Sequence, residues 1–122
     1  MEEAKLKAIL EDAGINYVKG LDRFMGNQAL YEKFLVKFLY DGSHEEFNMA
    51  LSAGDMAMAE KAAHTLKGTA GNLSMEILYQ DADAAVKAIR AKADTQEIME
   101  LAKKVDGSYE RVCAAARKIQ DR

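Results

Sequence analysis

The chain has 122 residues, of which 49% are apolar and 30% charged, and its formal net charge is −3. This length and this mixture predict one domain over residues 1–122 and exclude an intrinsically disordered chain. The small net charge gives no electrostatic reason to expect nucleic acid or an anionic membrane surface as a partner.

The pattern at the start of the chain also excludes some classes of protein. The opening stretch, MEEAKLKAILEDAG, is acidic and amphipathic, unlike a signal peptide. No apolar run approaches the ~20 residues that span a bilayer, so we expect no membrane insertion and a cytoplasmic location. Cys113 is the only cysteine, which rules out a disulfide within the chain.

The first third of the chain is predicted to form short helices followed by a longer one. Proline is absent and strong helix formers are abundant. Helical pieces are predicted over 3–12 and in NYVKGLDRFM, and Asn27 is predicted to cap a helix over 28–41. Its apolar residues recur at helical spacing and are expected to face the core: Leu30, Phe34, Leu35, Phe38 and Leu39. Ser43 and Glu46 have the spacing of a capping box that opens the next helix.

The rest of the chain is predicted to form three long helices. Asp55 caps the first, a turn near Ser74 joins it to the second, and Asp94 or Thr95 caps the third. Gly107 lies inside the third helix and is expected to mark a bend or a break. The long helices are predicted at 28–41, 56–73, 75–92 and 96–120. They indicate an all-α fold, an antiparallel four-helix bundle with short additional helices at its N-terminal side.

The helix over 56–73 carries His64, followed by glycines four and seven residues further on. A glycine inside a helix costs about 1 kcal/mol relative to alanine, so Gly68 and Gly71 need a physical reason. The apolar residues lie opposite His64 on the helical wheel, which predicts an imidazole that faces water. The glycines would clear the space beside the ring for a phosphoryl group held by another protein. Lys67, one turn away, can neutralise phosphoryl oxygens.

His64 and Gly68 also allow simpler interpretations. A single surface histidine most often has no function, and Gly68 could be a C-cap that ends the helix. Against the C-cap, Leu66, Ala70 and Leu73 keep the helical spacing through the glycines, which a loop would not require.

The stretch AAHTLKGTAGNLS, residues 62–74, resembles the signature of histidine-containing phosphotransfer (HPt) domains, approximately His-x-Leu-Lys-Gly-x-Ser/Ala-x-x-Leu-Gly. Six positions match: His64, Leu66, Lys67, Gly68, Ala70 and Leu73. Ser74 departs from the final glycine, at the turn into the next helix. LSAGDMAMAEKAAH is similar to the family's lead-in and GLDRFMGNQALYEKFLVKFL to its first bundle helix, so the resemblance covers about residues 15–92.

The resemblance implies a phosphocarrier of two-component signalling. An HPt domain accepts a phosphoryl group from an aspartate of a receiver domain and passes it to another receiver aspartate. The resemblance implies that His64 is the phosphoacceptor, that Lys67 stabilises phosphoryl charge, and that Gly68 and Gly71 give the receiver access. No ATP-binding motif of a kinase occurs, so the chain would position a nucleophile rather than act as a self-sufficient enzyme.

The resemblance also implies partners. The receiver domain would supply Mg²⁺, and this chain is expected to bind no cofactor and no metal of its own. The expected partners are response-regulator receiver domains, a hybrid histidine kinase or both, and a monomer is expected. The chain could be free-standing or the cytoplasmic end of a larger membrane-bound hybrid kinase. The rival interpretation is a non-catalytic scaffold or inhibitor with the HPt fold that docks receiver or kinase domains.

Further residues are candidates for partner docking. Folding the helix over 75–92 back along the histidine helix brings Lys87 and Arg90 beside His64, although solvated basic residues that favour a helix C-terminus account for them equally well. The remaining candidates lie on the exposed arc of the histidine helix or just before the first long helix: Ala57, Glu60, Lys61, Phe24 and Met25.

Two remaining residues are assigned no function. His44 lies in the first turn of a short helix and is expected to be a solvent-exposed bystander. Cys113 lies at helical spacing from apolar residues and is expected to be a small core residue.

Overall fold

The computed structural model describes all residues, 1–122, as helices joined by short turns, without strands. The elements in chain order are α1 (Glu3–Asp12), α2 (Tyr17–Arg23), α3 (Gln28–Lys37), a 3₁₀ turn (Phe38–Tyr40), α4 (Ser43–Ser52), α5 (Met56–Asn72), α6 (Glu76–Arg90) and α7 (Thr95–Gln120). The predicted all-α class is confirmed. None of these helices combines the length and the apolar character that crossing a bilayer requires.

Three predicted helix starts are confirmed by capping hydrogen bonds. The side-chain oxygens of Asn27, Asp55 and Asp94 accept hydrogen bonds from the backbone N–H three residues further on, at 3.0, 3.0 and 2.8 Å. Each bond satisfies an N–H group that has no partner inside the helix. The beginnings of α3, α5 and α7 are therefore determined locally.

The predicted capping box at the start of α4 is wrong. Ser43 is the first residue of α4, and its backbone N–H and its hydroxyl both donate to the carboxylate of Asp41. Asp41 takes the capping role because an aspartate in a turn readily accepts from the N–H two residues ahead.

The predicted break at Gly107 is absent, because α7 continues through this residue to Gln120. The flanking residues Val105 and Val112 are buried in the core. Burial of such side chains stabilises the helix by more than the roughly 1 kcal/mol that one glycine costs.

The helix that begins at Gln28 is shorter than predicted and faces the core differently. It ends at Lys37 and tightens into the 3₁₀ turn, as last helical turns often do. Leu30 and Phe34, expected inside, are each more than a third exposed, whereas Tyr31 and Leu35 are buried. The two pairs lie on neighbouring ridges of α3, and tertiary packing decides which ridge is covered.

The order of packing places α5 between two neighbours. α5 packs against α4 on one side and α6 on the other, and α6 in turn packs against α7. One contiguous cluster of buried hydrophobic residues draws on all seven α-helices. Many buried residues of α5 and α6 are alanines, and such short side chains allow the two helix axes to approach closely. The outer face of α5 stays open to solvent.

The C-terminal end of α5 is anchored by a buried tyrosine from α3. The Tyr31 hydroxyl donates a 2.8 Å hydrogen bond to the Leu73 carbonyl, and burial raises its pKa. Gly20 makes room for this side chain, because a Cβ there would lie 1.9 Å from the Tyr31 hydroxyl oxygen. The contact holds the end of α5 in place relative to α2 and α3.

Candidate functional site

His64 lies at the midpoint of α5, on the face that is exposed to solvent. The adjacent residues Ala62, Ala63 and Leu66 are buried, because the apolar residues of α5 occupy the opposite side of the helix. The imidazole therefore projects from a helix whose other face is held in the core, as the helical wheel predicts.

Gly68 lies one turn beyond His64 in open space. α5 runs on to Asn72, so Gly68 is not the C-cap of the helix. A Cβ at this position would meet no atom within 4 Å. Neither packing nor backbone conformation requires a glycine here, and the space over Gly68 is free.

Gly71 does not have the open surroundings that the sequence predicts. A Cβ on Gly71 would lie 3.2 Å and 3.3 Å from two ring carbons of Tyr79, on α6. The missing side chain therefore lets the Tyr79 ring lie against α5. The prediction that Gly71 leaves space for access to His64 is wrong, because the Tyr79 side chain from the neighbouring helix occupies that space.

Lys67 is held in an ion pair with α6. Its ammonium lies 2.9 Å from Oδ1 of Asp83 and 5.7 Å from the centroid of the Tyr79 ring, and the side chain is 22% exposed. The second oxygen of Asp83 lies 2.9 Å from the Lys87 ammonium. We call these four residues the Asp83 cluster: Lys67, Tyr79, Asp83 and Lys87.

The protonation states in the Asp83 cluster follow from its hydrogen bonds. The hydrogen bonds from Lys87 and then Lys67 lower the pKa of Asp83, and the hydrogen bond with Asp83 raises the pKa of Lys87. Both shifts favour the charged forms at neutral pH. The site therefore presents two lysines around one carboxylate.

A second ion pair joins α5 to α6 on the other side of His64. The Nε of Arg90 donates a 2.9 Å hydrogen bond to Glu60. Glu60 is one turn before His64 and Lys67 is one turn after it, so the imidazole lies between two ion pairs along the α5–α6 seam. Lys87 and Arg90 thus lie beside α5 as predicted, each paired with a carboxylate.

The other predicted docking residues divide into two groups. Ala57 and Lys61 are exposed on α5. Phe24 is partly buried and stacks on Tyr31 at a centroid distance of 5.2 Å, whereas Met25 is 95% exposed. Ala57 and Lys61 therefore share a helix with His64, whereas Phe24 lines a groove together with Thr69 and Leu73 at the C-terminal end of that helix.

An apolar groove separates α3 and the 3₁₀ turn from the C-terminal part of α5. Its volume is about 490 Å³, and its lining includes Phe24, Phe34, Phe38, Tyr40, Thr69 and Leu73. At about 1.5 Å per residue, Thr69 lies roughly 8 Å further along α5 than His64. We call it the α3–α5 groove, and it flanks the histidine face.

His44 is not the exposed bystander that the sequence predicts. Its Nε2 lies 2.7 Å from Oδ1 of Asp106, and its side chain is 15% exposed. Because a carboxylate only accepts hydrogen bonds, Nε2 carries the proton. Asn48 donates to the same oxygen at 3.1 Å, and the imidazole stacks on the Tyr109 ring at a centroid distance of 3.8 Å. His44 therefore links α4 to α7.

Cys113 is buried, as predicted, and burial raises the pKa of its thiol. A raised pKa disfavours the thiolate, which is the reactive form of cysteine. The thiol is thus a core group.

Two residues of the seam were missed by sequence reasoning, Tyr79 and Asp83. With Lys87 they occur at intervals of four along α6, which places them on one face of that helix. This spacing is visible in the sequence, but it does not reveal that the face lies against Lys67 and Gly71.

Comparison with models of known protein families, with curated proteins and with solved structures finds no match to this chain. No group of three or more histidine, cysteine, aspartate or glutamate side chains is arranged to hold a metal ion. The function is therefore inferred from the motif around His64 and from the geometry of the seam.

Proposed function

We propose that this chain is a histidine phosphocarrier, which accepts a phosphoryl group on His64 from a receiver aspartate and passes it to another receiver aspartate. The observation that carries the proposal is an exposed imidazole on a helix anchored in the core, with empty space over Gly68. The HPt-like motif adds Lys67, a cation one turn from the ring. The chain would act within a cytoplasmic phosphorelay, as a monomer.

The four-helix bundle of HPt domains is part of this proposal. Its support is a closed cycle of packed neighbours, in which α4 contacts α5, α5 contacts α6, α6 contacts α7 and α7 contacts α4. The segment predicted as one helix over 28–41 is continued by α4, which supplies the packing against α5. The remaining helices, α1, α2 and α3, precede the cycle in the chain.

The proposed chemistry exchanges one bond for another at phosphorus. The unprotonated nitrogen of His64 donates its lone pair to the phosphorus of an aspartyl phosphate, and the N–P bond forms. The P–O bond to the aspartate breaks, and its electron pair leaves with the carboxylate. The proton on the other imidazole nitrogen stays in place. Both phosphorylated groups are energy-rich, so the transfer runs in either direction.

This chain's contribution to the reaction is positioning. The helix orients the imidazole, Gly68 leaves the path to it open, and an ammonium nearby neutralises phosphoryl oxygens. The receiver domain would supply Mg²⁺ and the acidic residues that hold it. We propose that the receiver docks on the exposed arc of α5 and on the α3–α5 groove, where Met25, Phe34 and Tyr40 expose apolar surface.

One observation favours the alternative function, a scaffold or inhibitor with the same fold. Lys67 is paired with Asp83, so its charge is already balanced by a carboxylate of this chain. A scaffold would bind receiver or kinase domains on the same face without accepting phosphate. The open space at Gly68 has no purpose in that function, which is why we favour the phosphocarrier.

The test is to incubate the chain with a phosphorylated receiver domain and Mg²⁺ and to measure acid-labile, alkali-stable phosphate by mass spectrometry. We expect one phosphoryl group on the wild type, none on His64→Gln, and one on His44→Gln, the matched control at the other histidine. Phosphoramidate, a small chemical donor, tests the imidazole without any partner. Absence of label with both donors, or equal label on His64→Gln, would overturn the phosphocarrier.

A further inference from the structure

The pairing of Lys67 has a consequence for the proposed phosphoryl chemistry. Its ammonium is 2.9 Å from Asp83 and lies near the Tyr79 ring, on the α6 side of the helix. An ammonium is a compact charge that neutralises a phosphoryl group only at close range. Lys67 must therefore exchange Asp83 for the phosphoryl oxygens when His64 is phosphorylated.

Lys87 allows Asp83 to release Lys67. The carboxylate bonds Lys67 through Oδ1 and Lys87 through Oδ2, each at 2.9 Å. When Lys67 leaves, Asp83 keeps its bond to Lys87, four residues further along the same helix. The carboxylate is thus never left without a cationic partner, which would raise the free energy of the phosphorylated state.

We propose that Asp83 is a positioning residue that regulates the phosphorylation of His64 by competing with the phosphoryl group for Lys67. The inference rests on the proposed function. Breaking the Lys67–Asp83 pair subtracts from the stabilisation that Lys67 gives to phosphohistidine. The phosphoryl group is consequently held weakly enough to be passed on, and Lys87 lowers the free energy needed to release Lys67.

The competition predicts opposite effects for the two partners of the exchange, Asp83 and Lys87. In Asp83→Asn the Lys67 ammonium is released, so the equilibrium of phosphoryl transfer from a receiver shifts toward His64. We expect a shift of roughly two- to five-fold, the range of a partly exposed ion pair. In Lys87→Gln, Asp83 depends on Lys67 alone, and the equilibrium shifts toward the receiver.

The experiment measures the distribution of phosphate between receiver and carrier at equilibrium, by mass spectrometry of both proteins. Asp81→Asn is the matched control, because Asp81 is on the same helix, carries the same charge and forms none of the ion pairs on the seam. Asp83→Glu, which keeps the carboxylate, should restore the wild-type equilibrium. In a Lys67→Gln background, Asp83→Asn should lose most of its effect.

The outcomes separate this inference from the proposed function. If His64 is phosphorylated but Asp83→Asn acts no differently from Asp81→Asn, or acts equally with and without Lys67, competition is refuted and the phosphocarrier stands. If phosphoramidate and the receiver both fail to label His64, both proposals fall. Thermal unfolding of each variant, monitored by circular dichroism, checks that the equilibrium shifts come from folded proteins.

Discussion

The two histidines of this chain lie in opposite environments on adjacent helices. His44, at the start of α4, is bonded to Asp106 and stacked on Tyr109. His64, in α5, is exposed beside empty space at Gly68. The first arrangement joins two helices and occupies the imidazole; the second leaves the imidazole available to another molecule. Availability of the ring, rather than the presence of a histidine on a helix, is what distinguishes a candidate reactive site.

The largest expected effect is that substitution of His64 abolishes phosphorylation, whereas substitution of His44 lowers stability. His64→Gln should abolish phosphorylation and leave the free energy of unfolding nearly unchanged, because the side chain is exposed. His44→Gln should keep phosphorylation and lower the free energy of unfolding by about 1–2 kcal/mol, since it removes a charge-assisted hydrogen bond and an aromatic stack. Urea denaturation beside the phosphate assay measures both. Equal stability loss in the two variants would remove the contrast.

The second prediction tests the open space at Gly68. Gly68→Gln should slow phosphoryl transfer from a receiver by roughly tenfold or more, because a side chain there displaces the incoming group from its line of approach. Gly107→Gln is the matched control, since Gly107 is the other glycine inside a long helix with no atom within 4 Å of an added Cβ. Stopped-flow or quenched-flow transfer kinetics decide the matter: similar rates in both variants would show that clearance at Gly68 is irrelevant.

The third prediction concerns how much a glycine at position 68 lowers the free energy of unfolding. Gly68→Ala should raise the free energy of unfolding by about 1 kcal/mol, because alanine is the better helix former and the added Cβ meets nothing. Gly71→Ala should give a smaller gain or a loss, because its Cβ meets the Tyr79 ring at 3.2 Å. Thermal and urea unfolding of the two variants compare them. A destabilising Gly68→Ala would mean that packing, not access, requires the glycine.

The smallest expected effect is the pH dependence of the seam. The pKa of Asp83 is lowered in the folded chain by its hydrogen bonds from Lys87 and Lys67. Its contribution to stability is therefore complete above the unfolded value, near 3.8, and is lost as pH falls through the folded pKa. The free-energy difference between wild type and Asp83→Asn, at most about 1 kcal/mol, should be constant near neutral pH. It should vanish in acid, as urea titrations at several pH values can measure; persistence at low pH would point to packing instead.

Much of the local structure could be predicted from the sequence. Asn27, Asp55 and Asp94 determine where helices begin because a cap and the N–H groups it satisfies lie within three residues of each other. The exposure of His64 follows from helical periodicity, which separates an apolar face from a polar one. The motif around His64 also indicates Lys67 and Gly68.

Other features depend on which helix faces pack against each other, and the periodicity of a sequence does not show which faces these are. His44 contacts Asp106, which lies 62 residues further along the chain. Leu30 and Phe34 stay at the surface because packing covers the neighbouring ridge of α3. Likewise, the Tyr79 ring packs against Gly71, and Asp83 forms an ion pair with Lys67, only because α6 folds back along α5. The sequence by itself determined the helical segments, the capped starts of α3, α5 and α7 and the exposed imidazole, since these follow from neighbours within a turn or two. Only the tertiary structure decided the partners of each charge and ring, because those pairings depend on the positions of whole helices.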